Sequence, residues 1–535
     1  MNRKSKYILA IDHGTSGLKV AIVSVYGEII DFEYAATPTF FLPNGGAEQN
    51  PDDWWNALIT AATRLVKKGI ASVDDIEAVC ISSTFSSTVA VDRNGRHLMN
   101  CLTWMDSRGA SYVEDLVKGF PNVEGYGLSK ALRSIYITGG GPSLTGKDDI
   151  AHVLLIQNEY PEIYEKTHKF LGSKDYLNMR LTGEFAASFD SIMLFWVTDI
   201  RDIHHVKYND YLIDFFHIDK DKLPVLKQST EVLGTVLPEI AKQIGLKIGT
   251  KVIMGSPDHQ AALIGSGAVE DYEGHIYIGT SSWVECLVPY KKTDLFHKIA
   301  SLPAAIPGRY QVLNEQDIAG GCVSFLLDNL ILFRNEFHSY KSPDDPYRKF
   351  SAIAERIPAG SDNLIFTPWL NGERAPVDDT NLRGCFYNIS MRTTADHFIR
   401  SVLEGVAYNT RWSFQYVEKF ISRKMETLTI IGGGAVSDIW CQIFADVLNR
   451  RIRRVKNARE TNARGAAFLA SASLNYIDFH DIPGLMEYDR IFDPNPENRQ
   501  IYDELFNVFL LIYKNNKAIF SRLNQRKRAC NRRNA

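Results

Sequence analysis

Two stretches far apart in this chain are built alike. Residues 7–25 read as an apolar run (YILAI), a turn (DHGTSG) and a second apolar run (LKVAIVSV), and residues 274–289 repeat the scheme as GHIYIGTSSWVECLVP. Apolar, β-branched runs on either side of a Gly-Thr-Ser interruption are β-hairpin signals. The two turns, Gly14-Thr15-Ser16 and Gly279-Thr280-Ser281, lie 265 residues apart in a chain of 535. Three matching residues recur easily by accident. Two like hairpins opening two halves of like size are better explained as two related lobes.

Between and after the hairpins, strand and helix patterns alternate. AVCISS near residue 80, VIMGS near 254, TLTII near 429 and RIRRV near 453 read as strands. Residues 54–67, 151–159 and DIWCQIFADVLN read as helices. Alternation of this kind predicts an α/β fold. A polar, glycine-containing break at 267–274 (GAVEDYEG) places the boundary, giving expected domains at 1–270 and 271–480. The remainder, 481–535, is expected to be a helical extension: an apolar face runs along 495–524 through Tyr502, Leu505, Phe506, Phe509, Leu510 and Tyr513, followed by a basic tail. That face suits packing on the body or on a partner subunit.

Composition excludes several classes. A net charge of −3 with 45% hydrophobic and 23% charged residues is the balance of an ordinary globular protein and fits neither disorder nor a nucleic-acid or anionic-membrane surface. Seven scattered cysteines with no CxxC pair predict reduced thiols in a cytoplasmic protein. The apolar run after MNRKSK stops at Asp12, too short for a signal peptide, and no run is long enough to span a membrane.

The chemical candidates sit in turns. In Asp12-His13-Gly14-Thr15-Ser16-Gly17-Leu18-Lys19, backbone N–H groups and hydroxyls are offered to a phosphate, and Asp12 is suited to Mg²⁺; a plain β-turn explains the same residues. The echo at Gly279-Thr280 tips the choice, since two facing hairpins grip one polyphosphate from both sides. Gly432-Gly433-Gly434-Ala435-Val436-Ser437 follows a strand and opens a helix, as nucleotide-binding turns do. It nearly fits a dinucleotide fingerprint, but an NADP oxidoreductase leaves both hairpins unexplained. Residues 141–148 (GPSLTGKD) imitate a P-loop and fail where Asp148 replaces Ser or Thr, leaving Lys147 free to face a ligand. Asp258, in GSPDHQAALIG, heads a small-residue helix beside the interdomain crossover; an N-cap is its simpler reading. Trp104-Met105-Asp106-Ser107-Arg108 joins an aromatic face to an acid and a base, a grip suited to sugars, against the plainer reading of a packed Trp with an ion pair.

Taken together, DHGTSGLK, WMDSR, the surroundings of Asp258, IGTSSW and GGGAVSDIWCQIFAD resemble the FGGY carbohydrate kinases, in order and spacing, from about residue 7 to 475. The run at 460–470, ETNARGAAFLA, is similar to the family's closing motif. The resemblance implies two actin-like (ribonuclease-H-like) lobes, sugar deep in the cleft and Mg-ATP between the lobes. It implies Asp258 as general base; Thr15, Ser16 and Lys19 along the γ-phosphate; Asp12 at the metal; and Gly279 and Thr280 at the phosphates from the other lobe. Gly320, Ser324, Gly433, Gly434 and Asp438 are implied for the nucleotide, and Trp104, Asp106, Lys147 and Ser86 for the sugar. The family's frequent dimers leave a homodimer open.

One segment departs from the family pattern. Where glycerol kinases carry Arg-Glu and xylulokinases Gln-Met-His-Gly, this chain has Thr84-Phe85-Ser86-Ser87-Thr88. The missing Arg-Glu argues against glycerol, whereas WMDSR and the Asp258 region lean toward a ketopentose such as D-xylulose. Another ketose, a pentitol or gluconate stays open, as do two rivals of another class: an actin-like ATPase and an inactive sugar-binding protein.

Overall fold

The computed structural model describes residues 6–332 and 343–524 of the chain. Two sheets organise it. The first runs in the order Val232–Thr235, Lys251–Pro257, Ile76–Ser83, Tyr7–Gly14, Gly17–Ser24, Ile29–Ala36. The second runs Tyr488–Phe492, Arg451–Val455, Thr427–Ile431, Gly274–Ile278, Ser282–Val288, Tyr310–Gln316, with two further strands at its edge. The correspondence is strand for strand, directions included. In each, the hairpin's first strand is parallel to the next two strands on one side, and its second strand is antiparallel to the strand on the other. The outermost of the six pairs antiparallel in both sheets.

The central strands are near-continuous apolar runs because helices cover both faces of such sheets. Ile8, Leu9, Ala10 and Ile11 are all fully buried, alternate residues belonging to different core clusters on the two sides. Two helices in equivalent places join the lobes: Asp258–Gly265 after the first sheet's parallel strand, and Thr461–Ser473 after its counterpart in the second. They cross backbone to backbone. A Cβ on Gly265 would lie 2.0 Å from the Thr461 carbonyl oxygen, and one on Gly465 would lie 1.8 Å from that of Ala261, so both positions require glycine.

Between Ile76–Ser83 and Lys251–Pro257 the first lobe carries an insertion. Its strands Ser87–Val91, Cys101–Thr103 and Lys169–Leu171 join Ala47–Gln49 and Phe40–Phe41 in a small sheet packed with helices such as Asp149–Glu159. The C-terminal segment packs on the second lobe: Tyr488–Phe492 lengthens its sheet, and helix Arg499–Asn524 buries Tyr502, Leu505, Phe506 and Phe509 against Trp369, Tyr408 and Trp412. The tail from 525 on, with Cys530, lies outside the described residues. Among the described residues no helix is long and apolar enough to cross a membrane.

Candidate active site

Ligands of open α/β sheets bind beyond the carboxyl ends of the parallel strands. Three such ends meet here. Asp12 and Ser256 both pair with Ser82 across neighbouring strands, so Asp12, the Thr84-Phe85 segment and Asp258 emerge together. Asp258 is half-buried at the head of its helix, with Oδ1 accepting the His259 backbone N–H at 2.8 Å. Burial pushes its carboxyl up to about 7; the neighbouring His259 opposes the shift, and the charges of Asp12 and Glu315 add to it. Asp12 is raised too, first by burial, against the pull of Lys19 and a hydrogen bond from Asn462 at 3.3 Å.

The first turn is braced on every side. Thr15 accepts twice: its carbonyl from Gln49 Nε2 at 2.6 Å and its Oγ1 from Trp104 Nε1 at 3.1 Å. The carbonyl of the exposed Ser16 accepts from Thr37 N and Tyr34 OH. Lys19, expected along the γ-phosphate, instead reaches the second lobe, donating to the Arg459 carbonyl at 2.8 Å and pairing with Glu460 at 3.6 Å. Lys19 stands on the second strand of the hairpin, opposite Asp12 and two residues beyond Gly17, where its side chain meets residues 459–460.

The second turn meets the start of helix Gly320–Leu326. Gly320 N donates to the Gly279 carbonyl at 2.9 Å, and Ala319 N and Gly321 N donate to the Thr280 carbonyl, leaving Thr280 exposed. A Cβ on Gly320 would lie 2.4 Å from that Gly279 oxygen. The 432–434 turn packs on the same strand end, with Gly434 against Ile278 and Trp440, while Gly433 faces open space. Gly279, Thr280, Gly320, Ser324, Gly433 and Gly434 therefore converge. Ser324 Oγ lies 3.1 Å from Tyr347 OH. Asp438 stands apart in an exposed ion-pair network with Arg454, at 2.8 Å, and Arg490.

On the sugar side the structure separates what the sequence grouped. Trp104 is half-buried between Thr15 and the Arg374 guanidinium of the second lobe, 5.5 Å from its ring centre. Asp106 does not line the cleft. It is fully buried, and its carboxylate accepts from Ala47 N and from Arg108 Nε and Nη2, while Arg108 also holds Glu48 at 2.7 Å. Asp106 thus shapes the loop that presents Trp104. Ser86, buried and at φ 59°, donates its hydroxyl to the Lys147 carbonyl at 2.6 Å, fastening the 84–88 segment to the P-loop look-alike. The Lys147 ammonium, lowered chiefly by burial and next by Arg374, makes no hydrogen bond or ion pair among the described residues. Arg374, which pairs with Glu315 and Asp317, is the site residue that sequence reading missed. Its one signal is a charged Glu-Arg inside WLNGERAP, an otherwise weakly polar run.

The family model described as the FGGY family of carbohydrate kinases, N-terminal domain, matches residues 7–265, and the C-terminal domain model matches 274–474. The chain is 28% identical to a xylulose kinase of Staphylococcus epidermidis over 531 residues, covering 96% of this chain and 97% of that one. It is 27% identical to a gluconokinase of Bacillus subtilis over 513 residues, covering 95% of each. Among solved structures, a ligand-bound xylulose kinase from Lactobacillus acidophilus superposes with a TM-score of 0.85 at 25% identity, covering 97% of this chain and all of that one.

Proposed function

The chain belongs to the FGGY family of carbohydrate kinases across both of its lobes, and from that premise we propose that it transfers the γ-phosphate of Mg-ATP to a hydroxyl of a pentulose such as D-xylulose. The observation that carries the reading is the meeting of Asp258 with two phosphate-type turns at the carboxyl ends of equivalent sheets. Phosphoryl transfer asks a protein mainly for positioning and charge stabilisation, with one group to take the nucleophile's proton. Mg-ATP, when bound, supplies the electrophilic phosphoryl group.

The residues divide that work. Asp258 takes the proton of the attacking hydroxyl, its carboxyl matched to neutral pH by burial. Thr15 and Ser16 offer backbone N–H groups and hydroxyls to the phosphate on one side, and Gly279 and Thr280 on the other. Mg²⁺ usually takes one or two carboxylates beside phosphate oxygens. Asp12 fits as that donor: it is a single hard carboxylate that burial raises, with Lys19 as the cation facing it. Gly433, with open space before it, admits the nucleotide to the backbone, and Gly320 seats the helix start against the Gly279 carbonyl. Trp104 provides an apolar face for the sugar and Lys147 a donor whose hydrogen bonds are unspent. Closure of the lobes keeps water, the competing acceptor, from the γ-phosphate.

The similarity to a gluconokinase, and Lys147 as an unpaired cation, support an aldonate as second reading. The experiment is coupled ADP release with Mg-ATP on D-xylulose, D-ribulose, L-ribulose, L-xylulose, xylitol, gluconate and glycerol, with Asp258→Ala alongside. Strong turnover on one pentulose, lost in the variant, is expected. Turnover on gluconate alone selects the second reading, and sugar-independent hydrolysis indifferent to Asp258 removes both.

A further inference from the structure

Behind Asp258 lies a buried charge pair that spans the lobes. His259 follows the base in the first lobe, and Glu285 stands in the middle of strand Ser282–Val288 in the second. Their relative exposures are 3% and 0%, and His259 Nδ1 lies 3.5 Å from Glu285 Oε1. The ring is also fixed edge-on against Phe85 of the 84–88 segment, centroids 4.8 Å apart, while Nε2 has no hydrogen-bond partner among the described residues.

Glu285 has a second imidazole beside it. His275, its partner across the hairpin, places Nε2 3.8 Å from Glu285 Oε2. That nitrogen accepts the Trp283 indole N–H at 3.2 Å, so it bears a lone pair and has no proton to give. Burial drives the basicity of His275 down to about 3. Burial raises the Glu285 carboxyl, and the hydrogen bond and charge of His259 pull it back. A carboxylate without access to water needs a counter-charge, and His259 is the group left to supply it.

We propose that Glu285, acting from the second lobe, holds His259 in its charged form and through it orients and tunes the base Asp258, so that both are positioning residues for phosphoryl transfer. The link is short: the His259 backbone N–H already binds Asp258 Oδ1, and the imidazole lies on the adjoining residue. Burial by itself strips the proton from His259; the Glu285 carboxylate reverses this and raises the ring above its ordinary value. The other charges facing the pair are Asp190 toward His259, and Asp12 and Glu315 toward Asp258. All three are acidic, which makes His259 the cation that keeps Asp258 ionised near neutrality.

Glu285→Gln tests this, since it keeps the shape of the side chain and removes the charge. In ¹³Cε1-histidine-labelled full-length protein, with the resonance assigned through His259→Asn, His259 is expected to titrate above the ordinary imidazole range and to fall below it in E285Q. The acid limb of kcat/KM should move up by about one pH unit, roughly a tenfold loss below the limb and a smaller one above it. Glu285→Asp, which retains the charge, should recover much of the shift. A His259 titration identical in the natural chain and E285Q, or a loss equal at every pH, overturns the proposal. The inference rests on the kinase reading, so the two fail differently. No sugar-dependent turnover in the natural chain sinks that reading; full turnover with an unmoved limb sinks this inference alone.

Discussion

In the first hairpin the turn is held mainly by side chains, Gln49 and Trp104 on Thr15 and Tyr34 on the carbonyl of Ser16, with one backbone amide, that of Thr37, beside them. In the second, backbone holds backbone, with three successive amides from 319–321 donating to the carbonyls of Gly279 and Thr280. The strand order, strand directions and turn residues are alike, while the pairing is offset by one residue, with Gly14 opposite Gly17 but Ile278 opposite Ser282. The larger difference lies in what surrounds the turns. The first turn is tied through Thr15 to Trp104, the residue proposed to face the sugar. The second is welded to a helix start, on the side proposed to hold the nucleotide. A duplicated motif has become two parts with separate duties.

The comparison can be broken in order of effect. Asp258→Ala should lower kcat by about 10²–10⁴ while both hairpins stay intact, because removal of a general base costs that much; single-turnover kinetics with the preferred sugar measures it. A fall below tenfold would mean that the turns carry the catalysis by themselves. Next comes pH. A carboxyl raised to about 7 must lose its proton to act, so kcat/KM should rise through about pH 7 and fall roughly tenfold per unit below it.

Gly320→Ala sharpens the contrast, because its Cβ must push aside the Gly279 carbonyl. Overpacking of this kind costs about 1–3 kcal/mol, so the KM for ATP should rise by roughly tenfold or more, with the sugar Kd unchanged by calorimetry. Trp104→Phe has the smallest effect. It keeps an aromatic face and removes one hydrogen bond worth about 1 kcal/mol, so kcat/KM for sugar should drop about fivefold, with the KM for ATP barely moved. If the ATP parameter moves more than the sugar one, the division of labour between the hairpins is wrong.

The hairpins were legible in the sequence because their signals are local: apolar runs, a glycine turn and a second copy to compare. Asp258 was legible only through its motif, since an acid heading a helix reads equally as a cap. Asp106 misled because the residue that occupies it, Arg108, is two positions away and looks like a fellow ligand. The contacts of Lys19 could not be read locally because its partner Arg459 lies 440 residues downstream. Arg374, with only the Glu-Arg of WLNGERAP to mark it, and the Glu285–His259 pair escaped for the same reason, since local pattern does not announce a contact made by folding one lobe onto the other. The strand correspondence of the two sheets extends much further than the three-residue echo that hinted at it.

The crossing of Gly265 over Gly465 has a mechanical consequence. Two helices touching through bare backbone, at matching places in two like lobes, form a rivet: side chains that would let them slide are absent. Any rocking of the lobes that preserves this contact turns about it, and displacement grows with distance from the pivot. Asp258 sits seven residues away on the pivot helix itself, about 10 Å at 1.5 Å per residue. The outer rims of the cleft therefore sweep through the long arc of such a motion and Asp258 through a short one, so the jaws can open widely while the carboxylate proposed as base stays nearly still.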